Sequence, residues 1–203
     1  MPVITISRQF GAGGRTLGEM IAKELDYQFI DDLIIQELSE KAKVSKDFVK
    51  SLERSAGGKI SKLISGMFSK NYMERILGDD KGYIDEHIYV ELLHEIFLEF
   101  AKQDNVVLLG RGGQYVLQGF QGAYHLLLVA GLKDRIKFMQ KFYNVSDAKA
   151  EKAVKQGEIR RSAVLRKFGK EDYDQPHLYH LVLNMSRLSL EQALKEVVVL
   201  VRQ

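Results

Sequence analysis

The chain contains no cysteine. Disulfides, thiolate metal sites and cysteine nucleophiles are thereby excluded, and a reducing compartment is mildly favoured. Proline is almost absent too, with two in 203 residues. Nothing therefore marks a long linker, and the length fits one domain over residues 1–203. An excess of one charge is also missing: 30 Lys and Arg stand against 27 Asp and Glu. Net charge confers no general affinity for polyanions, so nucleic acid is not an expected partner and any anion site must be local. No run approaches the roughly 18 apolar residues of a membrane span, and no charged stretch followed by an apolar core marks a signal peptide. The expectation is a cytoplasmic protein without a membrane partner. A hydrophobic content of 45% is enough for a proper core, and no internal repeat is evident.

What is present is concentrated near the start, in ITISRQFGAGGRTLGEMIAKEL over residues 4–25. Val3 to Ile6 alternate as a short strand does, Gly11, Gly13 and Gly14 crowd a loop, and Leu17, Ile21 and Leu25 recur at helical spacing. Glycines at such a turn let the backbone take positive φ and approach a ligand closely. The helix that follows aims its unpaired N–H groups and positive dipole end at the same place. Phosphate is the natural guest of Gly11, Ala12, Gly13 and Gly14, with a turn that binds nothing as the alternative. Thr16 would offer a hydroxyl to Mg²⁺ and Arg15 a positive charge. Aligning Gly13 with the last glycine of G-x-x-x-x-G-K-[ST] puts Arg8 in place of the first glycine and Gly14 in place of the lysine. The P-loop lysine is missing.

Further along, Tyr27 to Ile30 reads as a second strand running into Asp31 and Asp32, which either cap a helix or serve a site. Residues 33–104 are mainly helical, with segments at 46–54, 59–68 and 84–102. In the last, Ile88, Leu92, Leu93, Ile96, Phe97 and Phe100 make one apolar face, which is core. Asn105 to Leu109 is a continuous apolar strand of the kind buried in a parallel sheet, and it ends in Gly110-Arg111-Gly112-Gly113-Gln114. Loops at the carboxyl ends of strands form the ligand crevice of an open α/β sheet, so Arg111 should approach the glycine loop if the two strands are neighbours. Tyr124 to Ala130 is the next buried strand. A helix over 133–143 follows, with Ile136, Met139 and Phe142 inward, and then a helix capped by Ser146 that carries Glu158, Arg160, Arg161, Arg166 and Lys167. The last strand is placed at Tyr179 to Leu183, and Ser189 with Gln192 forms a capping box for the final helix. His177 and His180 have no partner at metal-ligand spacing and are read as structural.

These motifs resemble the cytidylate kinase-like branch of the P-loop kinases. Ser7, Arg8, Gly11, Gly13 and Gly14 carry the likeness, as does GAGGRT where nucleoside monophosphate kinases read GAGKGT. The stretch YHLVLNMSRLSLEQAL looks like the end of such chains, and the family's DGRD is matched at Gly110 and Arg111 but not at Leu109 and Gly112. The resemblance implies an α/β three-layer fold of about five parallel strands flanked by helices. It also implies a helical acceptor-binding insertion over 33–104 and a helical lid over about 147–176. The implied activity is ATP- and Mg²⁺-dependent transfer of a γ-phosphoryl group to a nucleoside monophosphate, CMP or dCMP. In that reading Arg8 and residues 11–16 hold the donor phosphates, and Thr16 serves the metal. Arg15, Arg111, Arg160 and Arg161 neutralise developing charge, and Asp31 and Arg111 face the acceptor nucleotide. The missing lysine and aspartates motivate two alternatives: a non-catalytic nucleotide- or phosphate-binding protein on a kinase fold, or a kinase for another small substrate.

Overall fold

The structure is a computed structural model, and it describes residues 2–31, 86–169 and 172–202. Expectations for residues 32–85, including Asp32, the helices at 46–54 and 59–68 and most of the acceptor-binding insertion, lie outside the described residues. The chain runs β1 (Val3–Arg8), α1 (Gly14–Leu25), β2 (Gln28–Ile30), α2 (Glu86–Lys102), β3 (Val106–Leu109) and α3 (Gly113–Val116). It continues with β4 (Ala123–Val129), α4 (Leu132–Tyr143), α5 (Asp147–Arg166), a 3-10 turn (Pro176–Leu178), β5 (Leu181–Asn184) and α6 (Leu190–Val201).

The five strands form one sheet in the order β2-β3-β1-β4-β5, every neighbouring pair parallel. Parallel strands are buried on both faces, which is why VVLL of β3 is apolar throughout. Ile4, Ile6, Val107, Leu109, Leu126 and Leu128 meet α1 and α6 on one face. Val3, Val106 and Leu108 meet Leu93, Ile96, Phe97 and Phe100 of α2 on the other. The expected three layers and five strands are those observed. Among the described residues, no helix is long and apolar enough to cross a membrane.

Local differences have local causes. The last strand begins at Leu181, because Pro176 opens a 3-10 turn and Tyr179 turns its hydroxyl onto the Tyr173 carbonyl at 3.0 Å. Ser189 and Gln192 form the expected capping box. Ser146 occupies its N-cap position but makes no side-chain cap bond, and Asp147 accepts from Gln140 Nε2 at 3.1 Å. Phe142 is not inward: it is 43% exposed and stacks on Phe138 at 4.2 Å between centroids.

His180 is structural in a specific sense. Its Nδ1 accepts the backbone N–H of His125 at 3.0 Å, while His125 Nδ1 lies 2.8 Å from the Thr5 hydroxyl. Burial, aided by the nearby His180, pushes the His125 imidazole down to about 4. Its folded pKa is below the ordinary value, so the unfolded chain takes up the proton first. The stability this group contributes is complete above about pH 6.5 and is lost as pH falls towards 4, a loss on the order of 2 kcal/mol. Urea midpoints measured between pH 7 and 4.5 should therefore fall more steeply for the wild type than for His125→Gln; parallel curves would refute the assignment.

Candidate functional site

The carboxyl end of β1 sets the site. Gln9 N–H donates to Leu128 O at 2.9 Å, Ala12 N–H to Gln9 O at 3.0 Å, and the chain then turns into α1. Gly11 and Gly13 take φ of 87° and 84°, in the left-handed region where only glycine is unstrained. Gly13 is the N-cap of α1. A Cβ on Gly14 would lie 2.8 Å from Arg8 Cγ. The stem of Arg8 thus fills the space that a side chain at position 14, where the P-loop lysine stands in the pattern, would enter. Arg8 and Arg15 line one small cavity with Gly11, Gly13 and Gly14. Arg15 is also engaged elsewhere, donating from Nη1 to Asp31 at 2.5 Å and from Nε to Glu19 at 3.0 Å. Asp31 is 4% exposed.

A hairpin of α4 and α5 roofs the loop. Phe138, Met139 and Tyr143 leave a cavity of about 20 Å³, room for about one water molecule. The Phe10 ring lies against Gly157 of α5, where a Cβ would come 2.2 Å from the ring. Tyr143, its hydroxyl pKa raised by burial, bonds the Thr16 side chain. Glu158 joins loop and roof: its Oε2 accepts from Phe10 N–H at 2.9 Å and from Arg135 Nη1 at 3.0 Å, and its Oε1 accepts from Arg161 Nη1 at 2.9 Å. Arg161, its side chain 7% exposed, also reaches Ser7 Oγ at 3.4 Å, both carboxylate oxygens of Asp174 and the face of Tyr173. Burial opposes its charge, but Asp174 and Glu158 outweigh burial and raise its pKa. Tyr179, beside this cluster, is pushed up to about 12, chiefly by burial.

Arg160 and Arg161, expected to act together, diverge: Arg161 points to the carboxyl edge of the sheet, and Arg160 is exposed. Arg111 follows β3, which does neighbour β1, and Gly110 N–H donates to Ile6 O at 2.9 Å. Gly110, Arg111 and Gly112 take φ of 77°, 55° and 76°. A non-glycine residue in that region carries strain.

Beside the glycine loop, the turns after β4 and β5 enclose a crevice of about 580 Å³ lined by Gln9, Ala130, Asp134, Asn184, Ser186 and Arg187. Gln9 Oε1 accepts from Ala130 N–H at 3.0 Å, and Ser186 Oγ accepts from Gly131 N–H at 2.8 Å. These bonds tie the three turns into one wall. The volume is that of a small-ligand site. Sequence reasoning named Glu158 without giving it a role, and missed Gln9, Arg135 and Asp174. For Arg135 the available signal was its place in the first turns of the helix after a buried strand.

Residues 3–187 match the sequence pattern of the cytidylate kinase-like family. The chain belongs to that family. Solved structures agree on the fold, which is that of P-loop kinases. An uncharacterized protein from Eubacterium ventriosum superposes with a TM-score of 0.67 at 12% identity, covering 100% of this chain and 99% of its own. A sugar kinase from Janibacter sp. gives 0.53 at 12% identity with 98% and 93% covered. Shikimate kinase from Bacteroides thetaiotaomicron gives 0.50 at 14% identity with 100% and 99% covered. No curated protein matches the chain. The family's cofactors can be tested against the residues present. The left-handed glycines, the following helix and the adjacent crevice suit a nucleotide's phosphates and base, provided the roof lifts. Among the described residues, no three His, Cys, Asp or Glu gather to hold a metal ion.

Proposed function

We propose that this member of the family is a cytoplasmic ATP-dependent phosphotransferase that moves the γ-phosphoryl group to a nucleoside monophosphate, CMP or dCMP. The observation that carries the reading is the adjacency of a left-handed glycine loop opening a helix to a crevice of about 580 Å³ that shares Gln9 with it. The base occupies that crevice, between the turns after β4 and β5. Amides of residues 11–16 hold the donor phosphates at the positive end of α1. Bound Mg²⁺ supplies neutralising charge beside Thr16. Arg161 and Arg111, at the carboxyl edge, face the transferring group, and Asp31 faces the acceptor. A phosphate acceptor needs little or no general base, so positioning and electrostatic stabilisation carry the reaction.

Arg8 takes the role of the missing lysine. Its stem lies against Gly14, the position that the lysine holds in the P-loop pattern, and it lines the same small cavity as the glycines. The test is a coupled ADP-release assay with Mg·ATP and a panel of nucleoside monophosphates, run beside calorimetry for ATP. Arg8→Ala should lower turnover with CMP by about a hundredfold or more, and Arg15→Ala by about tenfold. Equal turnover of Arg8→Ala and wild type would sink the assignment, and preference for a non-pyrimidine acceptor would redirect it to another small substrate. Gly14 in place of the lysine, with Leu109 and Gly112 in place of the aspartates, favours a second reading, a nucleotide-binding protein without turnover. ATP binding with no ADP release for any acceptor would establish that reading.

A further inference from the structure

The contact between α5 and the glycine loop has an unusual composition. Phe10 N–H belongs to the loop whose amides are the anion donors, and it is bonded by a side-chain carboxylate 148 positions away in sequence. That carboxylate, Glu158, also takes one bond from each of two arginines, Arg135 and Arg161. Two carboxylate oxygens thus meet a backbone N–H and two guanidinium groups. Arg135 Nε is buried and has no hydrogen-bond partner among the described residues. Its side chain is only 13% exposed. Both carboxylate oxygens of Glu158 are already taken, so this buried donor has nothing left to bind. The bay therefore offers more donors than its carboxylate can use.

We propose that Phe10 N–H, Arg135 and Arg161 form an oxyanion bay, and that Glu158 is its internal occupant, displaced by the terminal phosphate of a bound nucleoside di- or triphosphate. The inference rests on the nucleotide reading of the glycine loop and adds to it a competitor built into the roof. A phosphoryl group brings three oxygens and close to two negative charges where the carboxylate brings two oxygens and one. It therefore satisfies the leftover Arg135 donor and binds both arginines more strongly. Glu158 is 32% exposed, so an incoming anion reaches it without unfolding the roof. While Glu158 is in place, Phe10 stays against Gly157 and the cavity over the loop stays at about 20 Å³. Once Glu158 is displaced, α5 loses its carboxylate bond to the loop and keeps the weaker contacts of Arg161 with Ser7 and of Gly157 with the Phe10 ring. Occupancy of the bay and opening of the roof are then two descriptions of one equilibrium, biased by whichever anion holds the arginines.

The test uses the full chain as wild type, Glu158→Gln and, as a control on the same helix, Glu151→Gln, whose carboxylate pairs with exposed Lys155. Glutamine keeps the shape and an acceptor oxygen for Phe10 N–H but removes the charge that holds the arginines. Amide hydrogen exchange without nucleotide should be faster in Glu158→Gln at Phe10 and along residues 147–166, and unchanged in Glu151→Gln. ADP, measured by calorimetry, should bind Glu158→Gln about tenfold more tightly than wild type, one charge-assisted bond no longer being displaced. Exchange that does not change overturns the proposal whatever the nucleotide does. Faster exchange with ADP affinity unchanged or weakened overturns the competitor role. Should neither protein bind ADP, inorganic pyrophosphate separates the two ideas: tighter pyrophosphate binding by Glu158→Gln upholds the bay and overturns the nucleotide reading, and no tightening overturns both.

Discussion

Arg161→Ala should reduce turnover by at least about a hundredfold and cost about 2–3 kcal/mol of stability. Both effects come from one side chain with two sets of obligations. Asp174 and Glu158 lean on the guanidinium, which is 7% exposed and reaches Ser7 at the end of β1. Removing it leaves Asp174 without this partner and Glu158 with Arg135 alone. The catalytic part rests on the proposed phosphoryl transfer, in which a cation at the carboxyl edge would stabilise charge developing on the transferring group. Arg161→Lys separates the two. Lysine restores a charge but cannot span both carboxylates and the serine with one planar fork. Urea midpoints should recover by at least half in that variant, while kcat at saturating Mg·ATP should remain at least about tenfold down. Full recovery of kcat in Arg161→Lys would show that charge alone matters; an unchanged midpoint in Arg161→Ala would show that the ion-pair cluster contributes nothing to folding.

The second large effect is expected from a single added methyl group. Gly157 lies within α5, where alanine is normally favoured over glycine by about 1 kcal/mol. Here the new Cβ would sit 2.2 Å from Phe10 Cγ, inside the ring's contact distance. The ring must leave, and with it the packing that seats α5 on the glycine loop beside Met139, Ala150, Ala153 and Val154. Overpacking of this kind costs about 1–3 kcal/mol, enough to cancel or exceed the helix gain. Gly157→Ala should therefore be destabilised by about 1–2 kcal/mol in urea unfolding. Combining it with Phe10→Ala should recover more than the sum of the single changes allows, a positive coupling between two touching residues. A Gly157→Ala protein more stable than wild type would mean that helix propensity wins and the ring contact is incidental.

Much of this molecule was readable from residue order because its strongest constraints are local. A buried parallel strand is apolar throughout, so VVLL of β3 could be placed between its turns. Left-handed positions demand glycine, so Gly11 and Gly13 announced a loop of a particular shape. The Ser189 and Gln192 box names its own helix start. The site was legible only where it followed those local rules. Nothing in the string links Glu158 to the amide of Phe10, since that bond exists only because the α4–α5 hairpin folds back over β1. Arg160 and Arg161 look alike in sequence, and only the helix rotation set by Ala150, Ala153, Val154 and Gly157 turns the second inward. Asp174 sits in a polar stretch that reads as a turn, and becomes informative only when Arg161 arrives beside it. Phe142 follows the inward spacing of its helix, yet the small α5 residues close over Met139 and leave it outside.

The strand order also fixes a schedule for biosynthesis. Of the described strands, Val3–Arg8 is translated before the others and is the middle of the sheet, and its partners begin at Val106 and Ala123. Among the described residues, Gln28–Ile30 likewise pairs only with Val106–Leu108. At about 5–20 residues per second, the ribosome delivers those partners on the order of five to twenty seconds after the first strand has been made. Until then the apolar ITI segment and the amides of the glycine loop have no sheet to join. The sheet can condense only once β3 and β4 emerge, so a nascent chain stalled before residue 106 should remain fully sensitive to protease, and one stalled well beyond residue 129 should begin to resist.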